Sequence, residues 1–428
     1  MTRTVVFLLI LSVLIITVFV GYSFTRKSRD DAKQPPFADQ GTEQAPVRPE
    51  EEKEPEKETN PAEEAGPEEE KGPEEETSSE KEIDPAMEKT KSMTLDEKIG
   101  QMFMVGLEGY AVDEYAIKML EDYKVGGFIL FGRNIRDSWQ ALELINSLKE
   151  ANRGNKVPLF VSVDEEGGRV SRMPEEFNDL PASGEIGKAK DESYSFEIGK
   201  IIAEEIKALG FNMNFAPVLD INSNPDNPVI GDRSFGADPE TVSKLGVQAM
   251  KGMQSEMIIP VVKHFPGHGD TSADSHTTLP RVENDMERLK SFELIPFKEA
   301  IDNGADAVMV AHILLSEIDP ENPASLSGIV INDILRGYLG FEGVVITDDM
   351  TMGAITGNYE IGEAVVKSVK AGTDILLVCH GYDMETDAIN ALKAAVARGD
   401  ITEDRINESV YRILELKRKY ALADDVID

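Results

Sequence analysis

The chain has 428 residues, with 80 Asp and Glu against 44 Lys and Arg, a formal net charge of −36 and one cysteine. That acidic balance argues against a nucleic-acid partner, because such binding rests on Lys and Arg neutralising phosphates. The lone Cys379 rules out an internal disulfide and zinc sites of the Cys-x-x-Cys type, and at the end of an apolar run it reads as a small apolar filler.

Val5 to Tyr22 is an almost unbroken apolar run of 18 residues, with Arg3 before it and Arg26-Lys27 after it. Its length suits a bilayer-spanning helix and exceeds the usual signal-peptide core. No Ala-x-Ala-like cleavage site follows, so residues 1–27 read as an uncleaved anchor in preference to a cleaved signal. Basic residues at both ends leave its orientation open. The position of the run predicts that the folded part lies on the extracytoplasmic face of the membrane, or is secreted if the segment is cleaved.

Residues 28–90 read as a disordered linker rich in Glu and Pro, with a short repeat, Gly66-Pro-Glu-Glu-Glu-Lys and Gly72-Pro-Glu-Glu-Glu. Residues 30–90 hold 22 acidic and 7 basic side chains. Such a segment buries too little apolar surface to offset its chain entropy, and charge repulsion with proline stiffness extends it into a tether.

The folded domain is assigned to residues 91–428. Thr94-Leu-Asp-Glu97 reads as a capping box that opens a helix. Eight short apolar, β-prone runs follow: Phe103–Gly106, Gly127–Phe131, Leu159–Val163, Asn212–Pro217, Ile259–Lys263, Ala307–Ala311, Val344–Thr347 and Ile375–Cys379. Amphipathic helices are predicted at Ser138–Ala151, Ser193–Leu209, Pro239–Gln254, Met286–Asn303, Glu360–Ala371 and Asp404–Tyr420. Strands alternating with helices imply a parallel sheet covered by helices, and eight strands in this length suit a (β/α)8 TIM-type barrel.

A barrel gathers its chemistry at the C-terminal ends of its strands. The third run ends in Asp164-Glu-Glu-Gly-Gly-Arg-Val-Ser-Arg172. The fourth ends at Asp220, with Gly231-Asp-Arg-Ser-Phe235 beyond it. The fifth ends in Lys263-His264, the sixth in His312, the seventh in Asp348-Asp349 and the eighth in His380. All five histidines fall in such places, three of them within Lys263–Pro280.

Neither a P-loop, a strand-linked Gly-x-Gly-x-x-Gly nor a Gly-x-Ser-x-Gly elbow occurs, so nucleotide cofactors and a serine-hydrolase elbow are not indicated. A histidine-carboxylate metal site and metal-free acid/base catalysis remain. Against the metal, the spacing of His264, His268 and His276 matches no standard zinc pattern and Lys263 would repel a cation. For the alternative, Asp274-Ser-His276 puts a carboxylate two residues from an imidazole. Such a pairing fixes the tautomer and leaves the other ring nitrogen to move a proton. Asp348, at a strand tip, could then act as nucleophile.

The sequence resembles glycoside hydrolase family 3, and within it the single-domain β-N-acetylhexosaminidases. The likeness rests on Asp164–Arg172, Asn214-Phe-Ala-Pro-Val-Leu-Asp220, Gly231–Gly236, Lys263-His-Phe-Pro-Gly-His-Gly-Asp-Thr271 with Asp274-Ser-His276, and Thr347-Asp-Asp349. The resemblance implies an exo-acting β-N-acetylglucosaminidase that removes terminal β-GlcNAc, with peptidoglycan fragments as the expected source. It implies retention through an Asp348 nucleophile and an Asp274–His276 acid/base dyad, with Asp164, Arg172, Arg233, Lys263 and His264 binding the sugar. It implies neither metal nor cofactor, and a monomer is the expected state. A GlcNAc phosphorylase, a β-glucosidase and a non-catalytic wall-binding module are the alternatives. His268, His312 and His380 read as packing and hydrogen-bonding residues, Asp349 as structural, and Asp220 is undecided.

Overall fold

The computed structural model describes residues 84–427. The apolar run Val5–Tyr22 and almost all of the acidic linker lie outside the described residues. Within the described residues, no helix is long and apolar enough to cross a membrane.

Eight strands form a closed parallel barrel in sequence order: β1 (Phe103–Val105), β2 (Gly127–Leu130), β3 (Phe160–Val163), β4 (Met213–Asn214), β5 (Ile259–Phe265), β6 (Ala307–Val310), β7 (Val344–Asp349) and β8 (Ile375–Val378). Each strand pairs with its neighbour in sequence, and β8 closes on β1 with Phe103 opposite Leu376. β2, β3, β6 and β8 are buried along their whole length, as strands with helices outside and packed side chains inside must be. All eight expected runs are strands, so the barrel architecture is as the alternation implied.

The acidic composition has a local use. Asp113, Asp137, Asp191, Asp238 and Asp285 each cap a helix by accepting a backbone N–H of its first turn. The Thr94–Glu97 capping box forms as its spacing predicts.

Three differences from the sequence expectation have physical causes. Pro85–Ser92 is a helix capped by Asp84, whose other carboxylate oxygen accepts the Tyr411 hydroxyl at 2.8 Å. Residues 85–90, assigned to the linker on composition, therefore belong to the folded part. The expected helix Met286–Asn303 is two helices, Met286–Ser291 and Ile295–Asp302, broken at Phe292 (φ −145°, ψ −77°). Pro296 has no N–H and fits only the first turn of a helix, so the helix restarts around it. The fourth run, Asn212–Pro217, contributes only two residues to the ladder, and pairing resumes where Val218 bridges Lys263.

Two irregularities in strand register prepare the site. Between β5 and β6, one extra residue is accommodated at Lys263-His264; between β7 and β8, another at Thr347-Asp348. A bulge re-aims the side chains beside it. Both strands also run further than expected, β5 to Phe265 and β7 to Asp349.

One buried group works against this packing. Glu205, on the helix Glu192–Ala208, is 1% exposed, and neither carboxylate oxygen has a hydrogen-bond partner from the protein. Burial, reinforced by the neighbouring Glu165 carboxylate, pushes its carboxyl up to about 8 from 4.5. The folded state thus holds a proton that the unfolded chain releases, and stability is lost as pH rises from the lower value through the upper one. Glu205→Met should be more stable than the parent, by a margin that grows by a few kcal/mol across that interval. Urea titrations at pH 4.5 and pH 8.5 check this; a margin independent of pH would refute it.

Candidate active site

At the C-terminal mouth of the barrel is a cavity of about 290 Å³, and all eight site residues expected from the sequence line it: Asp164, Arg172, Arg233, Lys263, His264, Asp274, His276 and Asp348. Glu166, His268, Phe131 and His380 line it as well.

The closed end is an alternating chain of charges. β3 delivers Asp164, and the next residue is fixed by Asn214 of β4, whose side chain accepts the Glu165 N–H at 3.0 Å and donates to its carbonyl at 2.8 Å. Lys263, brought in by the bulge of β5, is 2% exposed and places Nζ 2.6 Å from Asp164 Oδ1 and 2.7 Å from Glu166 Oε1. Glu166 accepts two further bonds from Arg233, Nε to Oε2 and Nη2 to Oε1, both 2.8 Å. Arg233 Nη2 reaches His264 Nε2 at 3.4 Å, and His264 Nδ1 lies 2.6 Å from Asp220 Oδ2. Arginine only donates, so Nε2 accepts and His264 carries its hydrogen on Nδ1, toward the carboxylate.

Protonation follows the same pattern. Burial alone would raise the Glu166 carboxyl, but Lys263 and Arg233 outweigh it and hold it far below the usual carboxylate range. Burial alone would lower the Lys263 amine, but Asp164 and Glu166 raise it. Asp220, fully buried, is held below its ordinary value by His264 and His268 despite its desolvation. Lys263 and Arg233 are thus buried with the carboxylates of Asp164 and Glu166, the condition under which such groups stay ionised.

Asp348 sits at the bulge of β7, partly exposed to the cavity, with Oδ1 accepting the Asp349 N–H at 2.9 Å. Burial opposes its charge, and His312, His264 and Lys263 outweigh that opposition, so its carboxyl lies below the ordinary value. Asp349 turns away into structure, accepting the N–H groups of Thr351 (2.9 Å) and Cys379 (3.0 Å) and the Thr351 hydroxyl (2.6 Å).

Asp274 and His276 approach from an open loop. Their side chains are 41% and 66% exposed. Asp274 Oδ1 accepts both the backbone N–H of His276 at 2.9 Å and its Nδ1 at 2.8 Å. Burial opposes the Asp274 charge, and these two bonds with the neighbouring imidazoles together outweigh it, holding its carboxyl below the usual value. Nε2 of His276 is left to give or take a proton.

Arg172 stands apart from the charge chain. Its backbone N–H donates to Glu165 at 2.7 Å and its guanidinium to the Ser171 carbonyl at 3.2 Å, and it makes no ion pair among the described residues. Glu166 was missed as a site residue, although its position two residues after Asp164 puts both on one face of an extended segment. Asp220, left undecided from sequence, is the anchor of His264.

A family model for the N-terminal domain of glycosyl hydrolase family 3 matches residues 94–416. The chain belongs to glycosyl hydrolase family 3. Its barrel is similar to that of a family 3 β-N-acetylglucosaminidase from Paenibacillus sp., with 46% identity and a TM-score of 0.76, over 77% of this chain and 63% of that one. A β-N-acetylhexosaminidase structure from Beutenbergia cavernae is 29% identical, with a TM-score of 0.72, over 76% of this chain and 99% of that one. Among curated relatives, β-hexosaminidase from Tolumonas auensis is 39% identical over 65% of this chain and 82% of its own length. β-Hexosaminidase A from Pseudoalteromonas piscicida is 34% identical over 71% of this chain, and the match spans only 54% of that longer protein.

Glu166 is the member of this family 3 site whose removal should be felt most in the fold. Glu166→Gln leaves Lys263 and Arg233 buried beside each other with one carboxylate fewer. It should cost about 3–5 kcal/mol of stability, read as a lower urea midpoint; an unchanged midpoint would refute the buried charge chain.

Proposed function

We propose that this chain is an exo-acting β-N-acetylglucosaminidase that releases terminal, non-reducing β-GlcNAc with retention of configuration. The observation that carries the reading is the convergence of Asp348, an ionised carboxylate, and the Asp274–His276 pair on one cavity that the charge chain closes at its far end. A cavity at the low end of the small-molecule range favours a single sugar unit.

In the first step Asp348 attacks the anomeric carbon as its bond to the leaving oxygen breaks. His276, as imidazolium, transfers the Nε2 proton to that oxygen, while Asp274 holds Nδ1–H and stabilises the cation. In the second step the now neutral Nε2 takes a proton from water as its oxygen attacks the anomeric carbon and Asp348 departs as carboxylate. Retaining glycosidases ordinarily employ two carboxylates for these tasks; here an imidazole held by a carboxylate takes the acid/base place. Asp164, Lys263, His264, Arg233 and Arg172 offer charged donors and acceptors to the sugar hydroxyls.

The acetamido preference draws support from the relatives, which are named β-hexosaminidase and β-N-acetylglucosaminidase. Peptidoglycan fragments are the proposed source, and this rests on the export expected from the apolar run Val5–Tyr22.

Asp348→Asn should lose about 10³- to 10⁵-fold in single-turnover hydrolysis of an aryl β-GlcNAc. Full activity in that variant would refute the mechanism, and loss of parent activity in EDTA would favour a metal site instead. Assays of aryl β-GlcNAc and aryl β-glucoside, each with and without phosphate, test the substrate. GlcNAc as sole sugar product is expected; GlcNAc-1-phosphate would make the protein a phosphorylase, and preference for the glucoside a β-glucosidase.

A further inference from the structure

The loop that carries Asp274 and His276 is open to solvent, yet the residue between them is not. Ser275 is 2% exposed. Its hydroxyl lies 3.2 Å from His268 Nε2, and its carbonyl accepts the Ala354 N–H at 3.1 Å. The carbonyl of His276 accepts the Gly353 N–H at 3.2 Å. Gly353 and Ala354 open the turn of helix, Gly353–Thr356, that follows Asp348 and β7. The loop bearing the proposed proton donor therefore rests directly on the segment that leaves the proposed nucleophile.

Gly353 permits that approach. A Cβ at this position would sit 2.7 Å from the His276 carbonyl oxygen and 2.9 Å from that of Thr277, closer than a real Cβ comes to an oxygen. Gly353 is not among the glycines with positive φ, so backbone conformation does not demand glycine there. Closeness to the loop does.

His268 is the fixed post on the other side. It is 1% exposed, its Nδ1 is 2.8 Å from the Thr271 hydroxyl, and its backbone N–H donates to Asp220 Oδ1 at 2.6 Å. Asp220 also holds His264. One buried carboxylate thus supports both the sugar-facing imidazole and the imidazole beneath the loop.

We infer that Gly353, Ala354 and His268 form a seat that docks the Asp274–Thr278 loop and sets the spacing of His276 from Asp348. They are positioning residues and touch no reacting atom. The inference rests on the roles proposed above for Asp348 and His276. Its energetic sense is that proton transfer is steep in geometry, a misplacement of about 1 Å costing on the order of 10² in rate. An exposed loop with three hydrogen bonds into the barrel keeps that geometry while leaving Nε2 in reach of water.

The test compares kcat/KM for two aryl β-GlcNAc substrates, one with 2,4-dinitrophenol, which leaves without a proton, and one with phenol, which needs one. Gly353→Val and His268→Phe should lose about 10²-fold on the phenyl substrate and less than about threefold on the dinitrophenyl one. Gly353→Ala should fall between them and the parent. His268→Gln, which retains a donor toward Ser275, should recover most of the loss. Equal loss on both substrates in a variant that melts like the parent, or no loss on either, would overturn the seat; Gly353→Ala and His268→Gln supply that comparison if the larger substitutions unfold. His276→Ala is run alongside. If it shows the leaving-group dependence and the seat variants do not, the seat alone fails; if it shows none, the acid/base assignment fails and the seat with it.

Discussion

The Lys263 ammonium, buried between Asp164 and Glu166, is the contact on which the mouth of the barrel is organised. An amine at 2% exposure keeps its charge only if anions replace the water it has lost. That requirement fixes the end of β3 against the bulge of β5. It also recruits Arg233 to the far side of Glu166, and through Arg233 it orients His264 toward Asp220. The result is a chain of alternating charges in which no member can move without exposing another. Such a surface presents fixed donors and acceptors that need little reorganisation to meet a polar ligand.

The opposite wall is built on the reverse principle. His276 is exposed and Asp274 half-buried, and a short local clasp holds them, two bonds to one carboxylate oxygen. A group that must exchange protons with a leaving oxygen and then with water gains from solvent access. A group that must grip a sugar gains from dryness. Asp348 lies between these regimes, on a strand but at its bulge, partly exposed yet facing the cationic side of the cavity. The division of the site into a buried, ion-paired wall and an open, solvent-facing pair follows from burial.

Close backbone approach fixes how the loops between these regions lie on one another. Gly353 against His276 and Thr277 is one instance. Gly269 is another: a Cβ there would meet the Ile221 carbonyl at 1.7 Å, so the segment between Lys263 and His276 lies directly on the loop after β4. His268, set between these contacts, is buried with polar partners at both ring nitrogens. Its expected part in packing and hydrogen bonding agrees with its burial and with these contacts.

By itself, the sequence determined the eight strands, the barrel they close, the cavity's location and the candidate residues that line it. These are legible because apolar runs, helical periodicity and polar strand ends are local patterns, and a parallel barrel places every strand end on one face. The extent of the linker and the break in the helix after Met286 were less legible, since Pro85 and Pro296 read as breakers and serve in first turns. Only the tertiary structure decided that Lys263 pairs with Asp164 and Glu166 at once, and that Asp220 supports both His264 and His268. It alone showed that Arg172 stands outside the charge chain and that Gly353 meets the loop of His276. Each of those facts joins segments far apart in the chain, and a contact set by strand register and bulges leaves no periodic trace in the residues that make it.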